Sequence, residues 1–209
     1  MFELVETDDV RRACDLFRPV YERTKGIDGY VSIEVSPGAA HDASATVEEA
    51  HRLWTSVDRP NVMIKVPGTA EGAVALRRLI ADGINVNVTL LFAVEAHARV
   101  IEAYLSGLED RVAAGGAVDR VASVASFFVS RVDGAIDPAL EALVQAGTLS
   151  RERASALQGR AAIANAQRAY RLFQERFRGP RWEALAARGA QVQRPLWAST
   201  STKNPAYRD

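Results

Sequence analysis

Apolar residues recur at helical spacing through Val10, Cys14, Phe17 and Tyr21, with Thr7 and Asp8 placed as N-caps and Gly26 as a stop. The pattern predicts an amphipathic helix, with Cys14 as a small buried hydrophobe on its apolar stripe. The period then changes. Residues 30–35 form a β-rich run closed by Ser36, Pro37 and Gly38, and residues 61–66 form another, closed by Pro67 and Gly68. Helix-type residues over 46–54 separate the two. Helical spacing over 69–81 leads through Gly83 into a strand over 84–92, and a helix follows over 94–105. A turn at Ala114, Gly115 and Gly116 precedes a strand over 121–129. A long helical stretch over 151–177 carries Ala161, Ala164, Ala169 and Leu172, small enough for close packing, and a last strand covers 190–199. Five strands separated by helices predict parallel pairing with right-handed crossovers. With no tandem repeat and no Pro/Ser/Gly-rich linker, residues 1–209 are expected to form one domain.

Both a doubly wound sheet and a barrel fit this alternation, so the polar residues inside the strands decide. A parallel strand covered on both faces reads as nearly continuous Val, Ile and Leu. The strand over 84–92 instead alternates Asn85, Asn87 and Thr89 with Val86, Val88 and Leu90, which puts the polar set on one face. Glu34 and Lys65 interrupt the two preceding strands in the same way. Three neighbouring strands with inward polar groups near their C-terminal ends favour a (β/α)8 barrel, which gathers such groups around one axis.

Composition narrows the partners. The chain has 209 residues with 26 basic and 26 acidic side chains, so it offers no basic surface for nucleic acid. No segment approaches the roughly 20 apolar residues of a membrane span. The acidic start does not resemble a secretory leader, and the chain is read as cytoplasmic. Cys14 has no disulfide partner, and His41, His51 and His97 show no metal-ligand spacing, so neither a metal nor another cofactor is expected. His51 and His97, among charged neighbours, are expected on solvated helix faces, and Trp54 and Trp182 as packing anchors. One quantity is out of line: complete barrels of this type usually need about 250 residues.

Lys65 carries the sharpest chemical signal. Among Met63, Ile64 and Val66 its ammonium would lose hydration, and burial lowers a lysine pKa toward the neutral amine that attacks carbonyls. A lysine that snorkels to water or pairs with Glu34 fits the same residues. Glu34 could shuttle the proton of carbinolamine dehydration, directly or through a water held by Thr89, or serve as a counter-ion. Asn87 could bond a substrate hydroxyl or satisfy buried backbone. A second group, from Ser126 to Arg131 and from Trp197 to Lys203 and Asn204, brings hydroxyls, backbone N–H groups and two cations to adjacent strand ends, as an anion pocket requires. The same residues also read as turns, with Arg131 paired to Asp133.

The strand sequences Tyr30-Val-Ser-Ile-Glu-Val-Ser-Pro37, Val62-Met-Ile-Lys-Val-Pro-Gly-Thr69, Gly83-Ile-Asn-Val-Asn-Val-Thr-Leu-Leu-Phe92, Ser126-Phe-Phe-Val-Ser-Arg131 and Leu196-Trp-Ala-Ser199 resemble transaldolase, in order and spacing. The flanking stretches look most like its actinobacterial-type members. The resemblance implies a class I aldolase barrel of the pentose phosphate pathway. Such an enzyme transfers a dihydroxyacetone unit from sedoheptulose 7-phosphate or fructose 6-phosphate to glyceraldehyde 3-phosphate or erythrose 4-phosphate. It further implies Lys65 as the Schiff-base nucleophile, Glu34 as the acid/base and Thr89 as the holder of its water. Asn87 and Ser126 would contact the three-carbon unit, Phe128 would line the pocket, and Arg131, Ser199 and Lys203 would hold phosphate. The family's opening strand with a catalytic aspartate, and its second strand with an asparagine, have no counterpart here. The chain is therefore expected to supply strands three to seven of eight, as an incomplete copy or fragment of a full-length transaldolase in preference to a piece that folds alone or by pairing with another copy. In either case imine formation is expected to survive while turnover is reduced. Another lysine-dependent class I aldolase and a noncatalytic sugar-phosphate-binding barrel fragment are the alternatives.

Overall fold

The computed structural model describes residues 2–201 together with Asn204 and Tyr207. Five parallel strands, β1 (Val31–Glu34), β2 (Val62–Pro67), β3 (Val86–Leu91), β4 (Ser123–Phe128) and β5 (Arg194–Ala198), form one sheet in sequential order. That order settles the choice left by the alternation. A doubly wound sheet must reverse its strand order, whereas right-handed crossovers that never reverse put every connecting helix on the same face. The result is a partial barrel wall, with helices outside and the opposite face open.

Eight helices accompany the strands among the described residues: α1 (Phe2–Arg23), α2 (Ala43–Val57), α3 (Ala70–Asp82), α4 (Val94–Ala113), α5 (Ser130–Gln145), α6 (Arg151–Leu157), α7 (Ala161–Arg176) and α8 (Pro180–Ala186). The main core lies between sheet and helices. Ile33, Ile64, Val66, Val86, Val88 and Phe127 from the strands meet Leu53 and Val57 of α2, Leu76 and Leu79 of α3, and Ile101 and Tyr104 of α4. Each such side chain contributes about 1.5–3 kcal/mol on burial. Met63, Ala122 and Val124 form a small separate cluster with Tyr30. Helix α4 lies close on α3 because residue 107 is glycine: a Cβ there would sit 2.6 Å from the Arg77 carbonyl oxygen.

Local chemistry sets several boundaries. Asp42 caps α2 by accepting from the Ser44 and Ala45 N–H groups, and Thr69 caps α3 through the Gly72 N–H. Other boundaries differ from the sequence pattern. Helix α1 starts at Phe2, so Thr7 and Asp8 are not its caps; the Thr7 hydroxyl bonds the Glu3 carbonyl within the helix. The expected helix over 151–177 is broken into α6 and α7 where Gly159 adopts a φ of 68°. Helix α5 had no counterpart in the pattern, since Gly134 and Pro138 inside it read as breakers. Cys14 is fully buried, as its stripe position implied. Trp54 packs half-buried on the core, and Trp182 meets Phe177 edge-on at 5.0 Å. His51 lies on the surface beside Asp82 at 2.9 Å. His97 does not: it is fully buried in α4, its ring 5.7 Å from Phe127. Among the described residues no helix is long and apolar enough to cross a membrane.

Candidate active site

The open face of the sheet carries the polar residues of alternate strand positions. Parallel register places Glu34 of β1 opposite Lys65 of β2, and Lys65 opposite Asn87 of β3. The lysine amine lies 2.9 Å from Glu34 Oε2, with 29% of its side chain exposed. This corrects the expectation of an amine dry among aliphatic neighbours. Because successive side chains alternate faces, Ile64 and Val66 turn to the helices, and of those three neighbours Met63 alone shares the face of Lys65.

Beside this pair lies a chain of side-chain hydrogen bonds. Asn87 Nδ2 donates to Ser32 Oγ at 3.1 Å, and Ser126 Oγ donates to Asn87 Oδ1 at 2.8 Å. Asn87 and Ser126 are both buried, so the carboxamide serves other side chains and not the backbone. Thr89, also buried, is the next residue on this face of β3. Its carbonyl accepts from the Gly68 N–H at 2.8 Å, a close approach that a Cβ at residue 68 would crowd, coming within 3.1 Å of the same oxygen. Just beyond it the β3–β4 register shifts, and Leu90 takes a left-handed φ of 60°. Such bulges re-aim side chains beside functional sites.

The second constellation joins the first along β4. Phe128 follows Ser126 on the same face, with Phe92 at 5.1 Å on one side and the Arg131 guanidinium over its ring, 5.1 Å from the centroid. Arg131 is not paired with Asp133, whose carboxylate instead accepts from the Ala162 N–H at 2.8 Å. Ser199 sits at the end of β5 with a φ of 53°, its hydroxyl 3.0 Å from that of Ser130 and its carbonyl accepting from the Ser130 N–H at 2.8 Å. The start of α5 thus presents two hydroxyls beside one arginine, a composition suited to an anion. Lys203 lies outside the described residues. The sequence reading missed Ser32, although period-two spacing back from Glu34 reaches it, and it missed the role of Phe92 beside Phe128.

Chemically, the first group brings an amine and a carboxylate into contact, with hydroxyl and amide groups close by. An amine adds to a ketone and the carbinolamine then loses water, a step that needs a proton donor within reach. The model of the transaldolase/fructose-6-phosphate aldolase family matches residues 1–209. The chain is 51% identical over 211 residues to a transaldolase of Trichodesmium erythraeum, an alignment that takes in 100% of this chain and 56% of that protein. It is 53% identical over 203 residues to a transaldolase of Acidothermus cellulolyticus, covering 96% of this chain and 52% of the relative. It is 54% identical over 206 residues to transaldolase 1 of Streptomyces avermitilis, covering 99% and 53%. The chain spans about half the length of the curated relatives it matches. With the family model matching along its full length, the chain belongs to the transaldolase/fructose-6-phosphate aldolase family.

Proposed function

We propose that this chain carries the Schiff-base part of a transaldolase site, which takes a dihydroxyacetone unit from a ketose phosphate and passes it to an aldose phosphate. The observation that carries the reading is the contact of the Lys65 amine with the Glu34 carboxylate at 2.9 Å, next to the Asn87–Ser126 pair. In this reading the lysine nitrogen attacks the ketone carbon. Glu34 first takes the proton that frees the amine, then gives it back through a water held by Thr89 as the carbinolamine hydroxyl leaves as water. Asn87 and Ser126 bond the hydroxyls of the three-carbon unit, and Phe128 lines its pocket. Arg131 and Ser199, with Lys203 in the same proposal, hold the phosphate. Sedoheptulose 7-phosphate and fructose 6-phosphate are the donors, and glyceraldehyde 3-phosphate and erythrose 4-phosphate the acceptors.

One observation favours a second reading: the lysine and glutamate already satisfy each other, as a structural ion pair would, which suits a site that binds sugar phosphates without bonding to them. Borohydride reduction in the presence of fructose 6-phosphate, followed by peptide mass mapping, separates the two. The expected result is an adduct confined to Lys65. An unmodified lysine together with saturable sugar-phosphate binding overturns the imine reading. The adduct mass also shows whether the carbon–carbon bond was cut, since a three-carbon adduct means release of glyceraldehyde 3-phosphate and a six-carbon adduct means that only the imine formed. Formation of sedoheptulose 7-phosphate on adding erythrose 4-phosphate tests transfer, and with it the expectation that imine formation outlasts turnover.

A further inference from the structure

We propose that Ser32 is a positioning residue, which fixes the plane of the Asn87 carboxamide at the root of the Lys65 side chain. This rests on the reading of Lys65 as an imine-forming amine. Ser32 lies on β1, two residues before Glu34, and Asn87 lies on β3, so their 3.1 Å hydrogen bond spans the intervening strand. In the register of β2, Ser32 stands opposite Met63 and Asn87 stands opposite Lys65. The carboxamide therefore slants across β2 beside the backbone from which the lysine rises. Alternate strands sharing a layer is the geometry by which a barrel interior brings such pairs together.

An asparagine amide has two N–H donors and an oxygen with two lone pairs. Here one N–H is used on Ser32, and Ser126 occupies the oxygen at 2.8 Å from the opposite side. Two anchors on opposite ends fix the plane of the amide, where one anchor would leave it free to turn. The remaining N–H then has one direction, toward the hydroxyls of a unit bonded to the neighbouring lysine. The two anchors differ in surroundings. Ser126 is buried, whereas Ser32 is exposed on the edge strand, where water can replace its hydroxyl as a partner without cost to the fold. Ser32 thus adds little to stability, and its hydrogen bond acts on the orientation of Asn87.

The test compares the chain with Ser32→Ala, Ser32→Thr, Asn87→Ala and the Ser32→Ala/Asn87→Ala double variant. The first measurement is the rate of borohydride-trapped adduct at Lys65 across fructose 6-phosphate concentrations. Ser32→Ala is expected to lower the rate at limiting substrate about tenfold, the scale of one directed hydrogen bond, with the unfolding transition unmoved. Ser32→Thr, which keeps the hydroxyl on a β-compatible side chain, should restore it. In the Asn87→Ala background, Ser32→Ala should have no further effect. An equal loss in both backgrounds, or no loss in either, overturns the proposal. The second measurement is hydrogen exchange of the Asn87 carboxamide protons by NMR, where one proton should be protected in the parent and in Ser32→Thr and lose that protection in Ser32→Ala. If the parent forms no adduct, the functional reading falls by itself, and exchange unchanged by Ser32→Ala independently removes the positioning role.

Discussion

The two ends of the sheet use polar residues in opposite ways. At the N-terminal ends, Asn61, Asn85 and Gln193 stand just before β2, β3 and β5, and Ser123 opens β4; all four are buried. Three of them serve the backbone. Asn61 Nδ2 donates to the Cys14 and Gly29 carbonyls, and the Ser123 hydroxyl donates to the Val86 carbonyl. Asn85 donates to the Pro60 and Val62 carbonyls and accepts from the Ala122 N–H. Closer to the C-terminal ends, Glu34 bonds Lys65, and separately Asn87 bonds Ser32 and Ser126. A polar residue inside a parallel strand is therefore not a functional signal by type or by face. Asn85 and Asn87 are two residues apart in one alternation, and only their partners distinguish a brace from a candidate ligand contact.

The sharpest way to break this contrast is to remove the two asparagines in turn. Asn85→Ala leaves two carbonyls and one buried N–H without their side-chain partner, and should cost about 3–5 kcal/mol in chemical denaturation. Asn87→Ala leaves only hydroxyls, which can turn to other partners, and should cost about 1 kcal/mol. Equal costs would end the distinction between a structural and a chemical end of the sheet.

A second test uses a buried group that belongs to neither end. Burial lowers the His97 imidazole from its ordinary 6.5 to about 4, and neither ring nitrogen has a hydrogen-bond partner among the described residues. The folded state thus holds the ring neutral while the unfolded chain protonates it near its ordinary value. Its contribution is present in full above about pH 6.5 and is lost as the pH falls toward 4, a change of about 3 kcal/mol. His97→Leu, close in volume and apolar, should remove that part of the acid dependence of the unfolding free energy. An unchanged profile would place the acid sensitivity elsewhere.

His97 also marks a limit of reading the chain from its sequence. Its neighbours Glu95 and Arg99 suggested a wet face, yet it shares the stripe of Ile101, Tyr104 and Leu108, whose spacing turns it to the core. Periodicity was the better guide than local charge. The strands were legible because alternation coincided with Pro-Gly stops, as at Pro67 and Gly68. Helix α5 was not, because Gly134 and Pro138 carry breaker signals that tertiary packing overrides. Glu34, Lys65 and Asn87 were legible as inward polar positions, and Ser126 as a hydroxyl of the second group and through the family resemblance. Their hydrogen bonds were not, since spacing along a strand gives the face and not the partner.

A smaller effect on stability is expected at Lys65. The ion pair with Glu34 is partly exposed, with 29% of the lysine and 46% of the glutamate side chain open to solvent, so screening leaves it worth about 1 kcal/mol or less. Lys65→Met should therefore unfold nearly as the parent does while giving no borohydride adduct. A loss comparable to that of Asn85→Ala would mean that the pair is a brace, and that the C-terminal end resembles the other end after all.

The smallest change is expected at Arg131. Its guanidinium stacks on Phe128, a contact worth about 0.5–1 kcal/mol at an exposed site, and among the described residues no carboxylate lies within ion-pair reach. Losing that one stacking contact at an exposed site, Arg131→Met should barely move the unfolding free energy. It should nevertheless weaken binding of inorganic phosphate several-fold, because a charge-assisted hydrogen bond to an anion is worth about 1.5–3 kcal/mol before solvent screening. Calorimetric titration at two salt concentrations reads both parts, since the loss on substitution should shrink as salt rises. If phosphate binds the parent and Arg131→Met with equal affinity and equal salt dependence, the start of α5 is not the anion site, and the contrast between the two ends of the sheet narrows to Glu34, Lys65, Asn87 and Ser126.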